Sequence, residues 1–292
     1  MRTRKNTLLL FSKVPEAGLV KTRLTTLKDG VFEPEVASAL YHCMLFDVAE
    51  ICCAALAQLE ARPPAVDPAT GEDVRDVYEL RISTAPAENL PAMRKLFADS
   101  GTWPREIVFD ADEGASFDAH YNDAFQKAWD AGADTILSMG ADMPALAVPD
   151  VVRGFDALHQ LAAREQGGIV LAPDQEMGVS IIGWPRKTAF SHDGVFYNQQ
   201  GLTVLPAYIA KAREANLPAI YLPPVPDVDT MADFMHAITV VEALNYCAPF
   251  DGNCPPWRTA DALRQMGFDE VRVPPNDLHD PREEIDGSEP ED

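Results

Sequence analysis

Short apolar runs alternate with helix-forming segments along most of the chain, and this alternation limits the possible folds more than any other feature. Strands are predicted at residues 7–11, 78–82, 106–109, 135–139, 168–172, 179–184 and 219–222. Helices are predicted at residues 34–60, 118–130, 150–164, 202–215, 231–244 and 259–266. Strands that alternate with helices form mainly parallel sheets that are covered on both faces. We therefore predict an α/β fold, a mainly parallel three-layer sandwich that binds ligands at the carboxyl ends of its strands.

The loop after the first strand concentrates positive charge. Lys13, Lys21 and Arg23 supply two mobile ammonium groups and one fork-shaped guanidinium. Gly18 allows a turn whose backbone amides can face an anion, and Thr22 lies between two of the cations. We predict that this loop binds nucleotide phosphates; a solvated surface turn is the alternative. The loop lacks the Gly-x-x-x-x-Gly-Lys-Ser/Thr pattern, which argues against an ATPase or GTPase.

The charge balance excludes several partners. The chain has 292 residues and a net charge of −22, and a phosphate backbone requires a basic face, so we do not expect a nucleic acid partner. No uninterrupted apolar run approaches the roughly 18 residues that cross a bilayer, and no signal cleavage pattern is seen. The expectation is a cytoplasmic protein without a membrane span.

Asp142 directly follows the apolar run at residues 135–139, so it stands at the carboxyl end of a predicted strand. A carboxylate in this position suits a divalent ion that bridges diphosphate oxygens. We predict that Asp142 is a ligand of Mg²⁺ or Mn²⁺. A helix N-cap is the alternative, although Asp150 can serve that purpose for the next helix.

A second acidic segment, Asp227-Val-Asp229, precedes the helix at residues 231–244. We expect its two carboxylates to point to opposite sides. Asp227 is then the second predicted metal ligand and Asp229 the predicted helix N-cap.

A third group of acids lies between two predicted strands. Asp174 and Glu176 occupy a turn where a general base could meet an acceptor hydroxyl, and we predict one of them as the catalytic base. An exposed hairpin with acidic side chains is the alternative. At the start of the helix predicted at residues 118–130, five residues are predicted to border the pocket or to pack in the core: Gly114, Phe117, Asp118, Tyr121 and Asn122. The sequence lacks the Gly-x-Ser-x-Gly pattern of serine hydrolases and the Gly-x-Gly-x-x-Gly pattern of dinucleotide-dependent dehydrogenases, which argues against both classes of enzyme.

Three blocks together resemble a known family. They are Lys13-x-Pro-x-x-Gly-x-x-Lys-Thr-Arg-Leu, Gly140-Ala-Asp-Met-Pro and Asp227-Val-Asp-Thr-x-x-Asp. In this order they resemble the radical-SAM/selenodomain-associated transferases, related to arsenosugar-biosynthesis glycosyltransferases. The resemblance implies a GT-A-like nucleotide-diphospho-sugar transferase fold, a divalent metal held by Asp142 and a nucleotide-activated donor. The blocks are also similar to molybdopterin and phospholactate guanylyltransferases.

These resemblances leave three functions open. Glycosyl transfer from a nucleotide sugar to a small-molecule acceptor is the leading hypothesis, and nucleotidyl transfer from a nucleoside triphosphate is the alternative. The third is a non-catalytic nucleotide-binding protein. It is motivated by Glu176-Met177-Gly178-Val179, which replaces the family's Asp-Gly-Gly-Tyr beside the acceptor site.

The chain is predicted to contain one transferase-like domain. It covers residues 1–246, followed by an extension at 247–275 and an acidic tail at 276–292 that we expect to be disordered.

Overall fold

A computed structural model describes residues 1–28, 30–66 and 71–268 of the protein. The predicted acidic tail, residues 276–292, lies outside the described residues. The strands are β1 (Arg2–Phe11), β2 (Ala65–Val66), β3 (Asp73–Thr84), β4 (Ile107–Ala111), β5 (Thr135–Gly140), β6 (Ile169–Pro173), β7 (Val179–Pro185) and β8 (Ala219–Tyr221). The helices are α1 (Pro34–Glu60), α2 (Leu90–Asp99), α3 (Phe117–Asp130), α4 (Val148–Ala162), α5 (Val204–Glu214), α6 (Met231–Asp251) and α7 (Trp257–Gln265).

The strands form one mixed sheet in the order β2-β3-β1-β5-β7-β6-β8, and β4 pairs with β3. β1 pairs in parallel with β3 and β5, as do β3 with β4 and β6 with β8. β7 runs antiparallel to both of its neighbours, and the short β2 runs antiparallel to β3. The predicted α/β fold with a mainly parallel sheet is confirmed.

Alternation along β1 sends side chains to two separate cores. Leu8 and Leu10 are fully buried in the core that contains α1, α2, α4, α6 and α7. Leu9, between them, is fully buried in the core on the other face, against α3 and α5. Because successive side chains of a strand point to opposite faces, a continuous apolar run covers both. The molecule therefore has three layers.

The long helix α1 lies in the larger core. By length and composition it could cross a membrane, but 72% of its most apolar window is buried inside the protein. Its buried residues include Leu40, Met44, Val48, Ile51 and Leu59, each at most 2% exposed. A buried core helix passes the same compositional test, so this feature is weak evidence for a membrane span.

Two helices differ from the sequence-based expectation. The sequence does not predict α2, because the helix has only 10 residues and buries only Met93 and Phe97, which leaves a short apolar pattern. α6 continues past residue 244, and past the predicted domain boundary at 246, to Asp251. Its Pro249 lies in the last turn, near the helix end. α7 then packs against α1 and α6.

Candidate functional site

A cleft of about 600 Å³ opens at the carboxyl ends of β1, β3 and β5. The connection that leaves β1 leads to β3 on one side, whereas the connection that leaves the neighbouring β5 leads to β6 on the other side. Such a switch point is where open α/β sheets bind ligands. Since β7 is antiparallel to β5, its first residues, Val179 and Ser180, also reach the cleft.

The cleft brings together all three sequence blocks. Residues of the basic loop, the Asp142 turn and the acidic segment before α6 line it. The ionisable residues among the lining are Lys13, Lys21, Arg23, Asp112, His120, Asp142, Asp227 and Asp229.

Lys21 of the basic loop contacts one carboxylate from each of the other two blocks. Its ammonium nitrogen Nζ lies 2.6 Å from Asp142 Oδ2 and 2.7 Å from Asp229 Oδ1. Only 6% of the Lys21 side chain is exposed. A charge-assisted pair of this kind, shielded from water, is stronger than a surface salt bridge. The carboxylates and the loop cation, 121 and 208 residues apart in sequence, therefore meet at one atom.

The backbone and the charge of Lys21 are both unusual. Its φ of 46° lies in the left-handed region, which costs a non-glycine residue roughly 1–2 kcal/mol. Burial alone would lower the pKa of Lys21, but the carboxylates of Asp142 and Asp229 outweigh burial and raise it. Lys21 is therefore held as a cation in a strained conformation, a combination that is typical of functional sites.

The acidic segment before α6 reaches Asp142 through its backbone. The Val228 amide donates to the Asp142 carbonyl oxygen at 3.0 Å, and Asp227 and Asp229, on either side of Val228, both line the cleft. The expectation that these two carboxylates diverge is wrong, because residues two apart in an extended chain lie on the same side. The N-cap of α6 is Thr230, which forms a capping box with Asp233, so the predicted cap at Asp229 is also wrong.

Asp227 is the least neutralised carboxylate of the site. Gln175 Nε2 donates to its Oδ1 at 3.0 Å and to Asp233 Oδ1 at 2.7 Å, which ties the β6–β7 turn to the start of α6. Burial, and then the negative charges of Asp142 and Asp229, raise the pKa of Asp227 to about 7. In the part of the chain that the structure describes, no cation forms an ion pair with Asp227.

The other predicted phosphate ligands are placed differently. Lys13 is exposed at the cleft wall, and among the described residues it has no ion-pair partner. Arg23 is 63% exposed and lies 3.4 Å from Asp229, and Thr22 also lines the cleft. Gly18 does not line it; its φ of 77° turns the loop. Lys13 and Arg23 thus remain available to an anion.

Tyr41 of α1 holds the start of the basic loop in place through hydrogen bonds. The Tyr41 hydroxyl lies 2.9 Å from Ser12 Oγ and accepts a hydrogen bond of 3.2 Å from the Lys13 amide. Burial, and then the Asp142 carboxylate, raise the pKa of Tyr41 to about 12. This neutral phenol, which sequence reasoning missed, holds the loop against the core.

A buried carboxylate and a histidine form the opposite wall. Asp112 accepts from Ser83 Oγ at 2.7 Å, and its other oxygen lies 2.7 Å from His120 Nδ1. Asp112 is 4% exposed, so it holds the imidazole firmly, and His120 lines the cleft. Beside them Tyr121 stacks on Phe11 with ring centroids 4.0 Å apart. Sequence reasoning indicated Tyr121 at the start of the helix predicted at residues 118–130 but missed Asp112, Ser83 and the role of His120.

The two predicted bases lie in the β6–β7 turn and do not line the cleft. Asp174 Oδ1 accepts from the amides of Glu176 and Gly178 at 2.6 and 2.7 Å, which makes it a turn residue. Glu176 is exposed. Between them and β7, Met177 has a φ of 67°, a conformation that favours glycine.

The predicted cap alternative for Asp142 does not apply. α4 begins at Val148, six residues later, and Asp150 accepts from the Ala147 amide at 3.0 Å. Asp142 instead folds back over Gly140: a β-carbon there would lie 2.7 Å from Asp142 Oδ1. Gly140 therefore makes room for the carboxylate at the end of β5.

The fold is shared with a protein of the nucleotide-diphospho-sugar transferase type. A crystal structure from Desulfovibrio desulfuricans G20, provisionally described as such a transferase, superposes with a TM-score of 0.63. The two chains are 24% identical, and the match covers 91% of this chain and 99% of that one. The predicted GT-A-like fold is thereby confirmed, and at this identity the likeness speaks for the fold alone.

Part of the sequence matches a bacterial family. The model for the family described as "Uncharacterized protein conserved in bacteria (DUF2064)" matches residues 75–199, which include β4, β5 and Asp142 but not the basic loop. A search among curated proteins found no match.

Two more distant structures are nucleotide-using enzymes. A cytidylyltransferase from Leptospira borgpetersenii is 12% identical, with a TM-score of 0.46 and coverage of 93% of this chain and 99% of that one. CMP:2-keto-3-deoxy-manno-octonic acid synthetase, in complex with CTP, is 12% identical, with a TM-score of 0.46 and coverage of 82% and 100%.

Proposed function

We propose that this protein is a metal-dependent transferase that uses a nucleotide-activated donor and most readily transfers a glycosyl group from a nucleotide-diphospho-sugar. The observation that carries the proposal is the convergence of Lys21 with Asp142 and Asp229, 2.6 and 2.7 Å apart, in a cleft at the switch point of the sheet. Lys13 and Arg23 at the same wall can neutralise phosphate charge.

The residues present fit a Mg²⁺ or Mn²⁺ ion. Asp142, Asp227 and Asp229 offer the oxygen ligands that these ions prefer, and burial, together with the charges of Asp142 and Asp229, raises the pKa of Asp227. No group of three or more His, Cys, Asp or Glu side chains is placed to hold an ion by itself within residues 1–28, 30–66 and 71–268. This agrees with a Mg²⁺-type site, in which waters and substrate phosphates complete the shell.

Catalysis in this arrangement is mainly electrostatic. When bound, the metal supplies Lewis-acid stabilisation of the charge on the departing phosphate. Lys13, Lys21 and Arg23 bind the same phosphates, and the fixed backbone at Ser12 and Lys13 orients them through Tyr41. The acceptor then lies toward the wall formed by Val179 and Ser180.

The base that removes the acceptor proton has two kinds of candidate. Glu176 and Asp174 stay predictions from sequence, whereas His120 lines the cleft and is held by Asp112. The variants Glu176→Gln, Asp174→Asn and His120→Gln distinguish these three candidates. The base is the residue whose loss lowers kcat by about 100-fold or more and changes the pH profile of kcat. Loss of affinity for the donor alone would make His120 a binding residue.

Nucleotidyl transfer is the second candidate. Lys13 has no described ion-pair partner and Arg23 makes only a long contact, so the cleft has cationic capacity for a third phosphate. A nucleotidyltransferase releases pyrophosphate, whereas a glycosyltransferase releases a nucleoside diphosphate. Product analysis by ion-exchange chromatography separates the two.

A thermal-shift screen tests the proposal directly. Nucleoside di- and triphosphates and nucleotide sugars are added with and without Mn²⁺, since a ligand that binds only the folded protein raises its melting temperature. We expect a rise that requires both nucleotide and Mn²⁺. Binding without turnover across a panel of acceptors would support the non-catalytic alternative, and no rise with any nucleotide would overturn the proposal.

A further inference from the structure

We propose that Lys21 is an exchangeable counter-ion: its ammonium neutralises Asp142 and Asp229 until a divalent ion and a phosphate ligand arrive together, and it then moves to the phosphates. This inference rests on the proposed function, because it assumes a divalent ion and a phosphate-bearing ligand. It goes further by stating that the chain's own lysine competes with the metal.

The competition follows from the contacts of Lys21. The Lys21 ammonium contacts one oxygen of Asp142 and one of Asp229, and Arg23 of the same loop also lies 3.4 Å from Asp229. A divalent ion bound to the same two carboxylates would lie within a few ångströms of the Lys21 ammonium. In a poorly hydrated setting such cations repel each other strongly. Metal binding therefore requires Lys21 to leave.

Lys21 has little room to leave toward bulk water. Its side chain is 6% exposed, whereas those of Asp142 and Asp229 are 27% and 46% exposed. The lysine thus lies beneath the carboxylates, on the protein side of the cleft. Without another anion it would give up two charge-assisted hydrogen bonds and stay buried and unpaired, which is costly. A metal ion alone must overcome that cost.

A phosphate ligand supplies the missing anion. It adds negative charge beside Lys13, Arg23 and Lys21, so the ammonium can exchange carboxylate oxygens for phosphate oxygens without losing its charge partners. The vacated carboxylates then receive the divalent ion. Metal and phosphate should therefore each raise the affinity for the other, and this coupling is reciprocal.

The test compares two lysines of the same loop. Mn²⁺ binding is measured by electron paramagnetic resonance for the wild type, Lys21→Met and Lys13→Met, first with Mn²⁺ alone and then with inorganic pyrophosphate. Both variants lose one positive charge, but only Lys21 contacts the carboxylates. We expect Lys21→Met to bind Mn²⁺ alone about tenfold more tightly than the wild type, and Lys13→Met to change by less than about threefold.

A conservative variant keeps the test decisive if Lys21→Met folds poorly. Lys21→Arg retains the charge at this position, and we expect it to bind Mn²⁺ alone as weakly as the wild type. In the wild type itself, pyrophosphate should tighten Mn²⁺ binding by about tenfold or more beyond chelation in free solution. That measurement needs no variant.

The outcomes separate this inference from the proposed function. Equal tightening of Mn²⁺ binding in Lys21→Met and Lys13→Met would overturn the exchange while leaving a metal-dependent transferase intact. So would wild-type protein that binds Mn²⁺ equally well with and without pyrophosphate. If no form binds Mn²⁺ under any condition, both the exchange and the metal dependence of the proposed function fail.

Discussion

A polar cluster lies at each end of β1, and the two clusters differ in how completely their charged and polar groups are paired. At its amino end, Arg4 donates to both oxygens of Asp76 at 2.6 and 2.8 Å. Asn6 donates to Asp76 at 2.9 Å, and its own carbonyl oxygen lies 2.7 Å from Thr135 Oγ1 and 3.1 Å from His159 Nε2. The ions are one cation and one anion, and the buried amide has partners on both its oxygen and its nitrogen.

At the carboxyl end, three carboxylates face Lys21 and a loosely held Arg23. Burial would raise the pKa of Asp76, but its hydrogen bonds with Arg4 and Asn6 lower it. The pKa of Asp227 is instead raised, to about 7. The comparison shows how the same strand carries a saturated cluster that holds α4 to the sheet and an unsaturated one that is suited to a charged ligand.

The largest effect should come from the unsaturated end. Asp142→Asn removes a proposed metal ligand and is expected to lower kcat/KM by about a thousandfold. The fold should survive, because Lys21 keeps Asp229. Product formation and the circular dichroism melting curve measure the two effects, and unchanged turnover would remove Asp142 from the mechanism.

The saturated end should show the reverse pattern. Asp76→Ala leaves Arg4 without its partner, and we expect the free energy of unfolding to fall by about 3–5 kcal/mol. Activity per folded molecule should stay the same. Urea unfolding gives the first quantity and an active-site titration the second. A selective loss of activity would mean that the two ends are not separable.

The acidic site at the carboxyl end of β1 could be predicted in part from sequence, whereas the polar cluster at its amino end could not, because its residues come from separate elements of the chain. The sequence pattern predicts the observed ends of α1 and the position of Asp142 just after β5, because both features depend on residues that are close in sequence. The contact between Asp112 and Ser83 could not be predicted, because it depends on β3 and β4 being neighbours in the sheet. Asp229 was misassigned because Thr230, the next residue, caps α6.

The two ends should titrate in opposite directions. Burial, and then the charge of Arg4, lower the pKa of His159 from 6.5 to about 4, so its contribution to stability is complete above pH 6.5 and falls as the pH drops toward 4. The pKa of Asp227 rises from 3.8 to about 7, so stability falls as the pH increases from 4 to 7.

Two variants test which residue causes each of these changes of stability with pH. The two groups oppose each other between pH 4 and 6.5. With EDTA present, His159→Asn should therefore reduce the rise of the urea midpoint over this range, whereas Asp227→Asn should steepen that rise and remove the fall between pH 6.5 and 7. His192, whose pKa burial and then Lys211 lower to about 3, adds to the acid slope and remains in both variants. If Asp227→Asn leaves the neutral slope unchanged, the site is less crowded with negative charge than the structure indicates.

The smallest effect concerns Met177. Met177→Gly should relieve its left-handed conformation and raise the free energy of unfolding by up to about 1 kcal/mol, after the greater chain entropy of glycine is subtracted. Met177→Ala is the matched control, since it removes the side chain but keeps the strain. Equal melting temperatures for the two variants would show that the backbone conformation is not the cause.

The antiparallel direction of β7 has a practical consequence for engineering. Under the proposed function, the β6–β7 turn, residues 174–178, is the segment to exchange when acceptor selectivity is redesigned, because the turn leads directly into the cleft wall at Val179 and Ser180. One residue of this turn should be kept in such an exchange. The Gln175 side-chain amide donates a hydrogen bond to Asp227, so, under the proposed function, a turn without Gln175 would change cation binding together with acceptor selectivity.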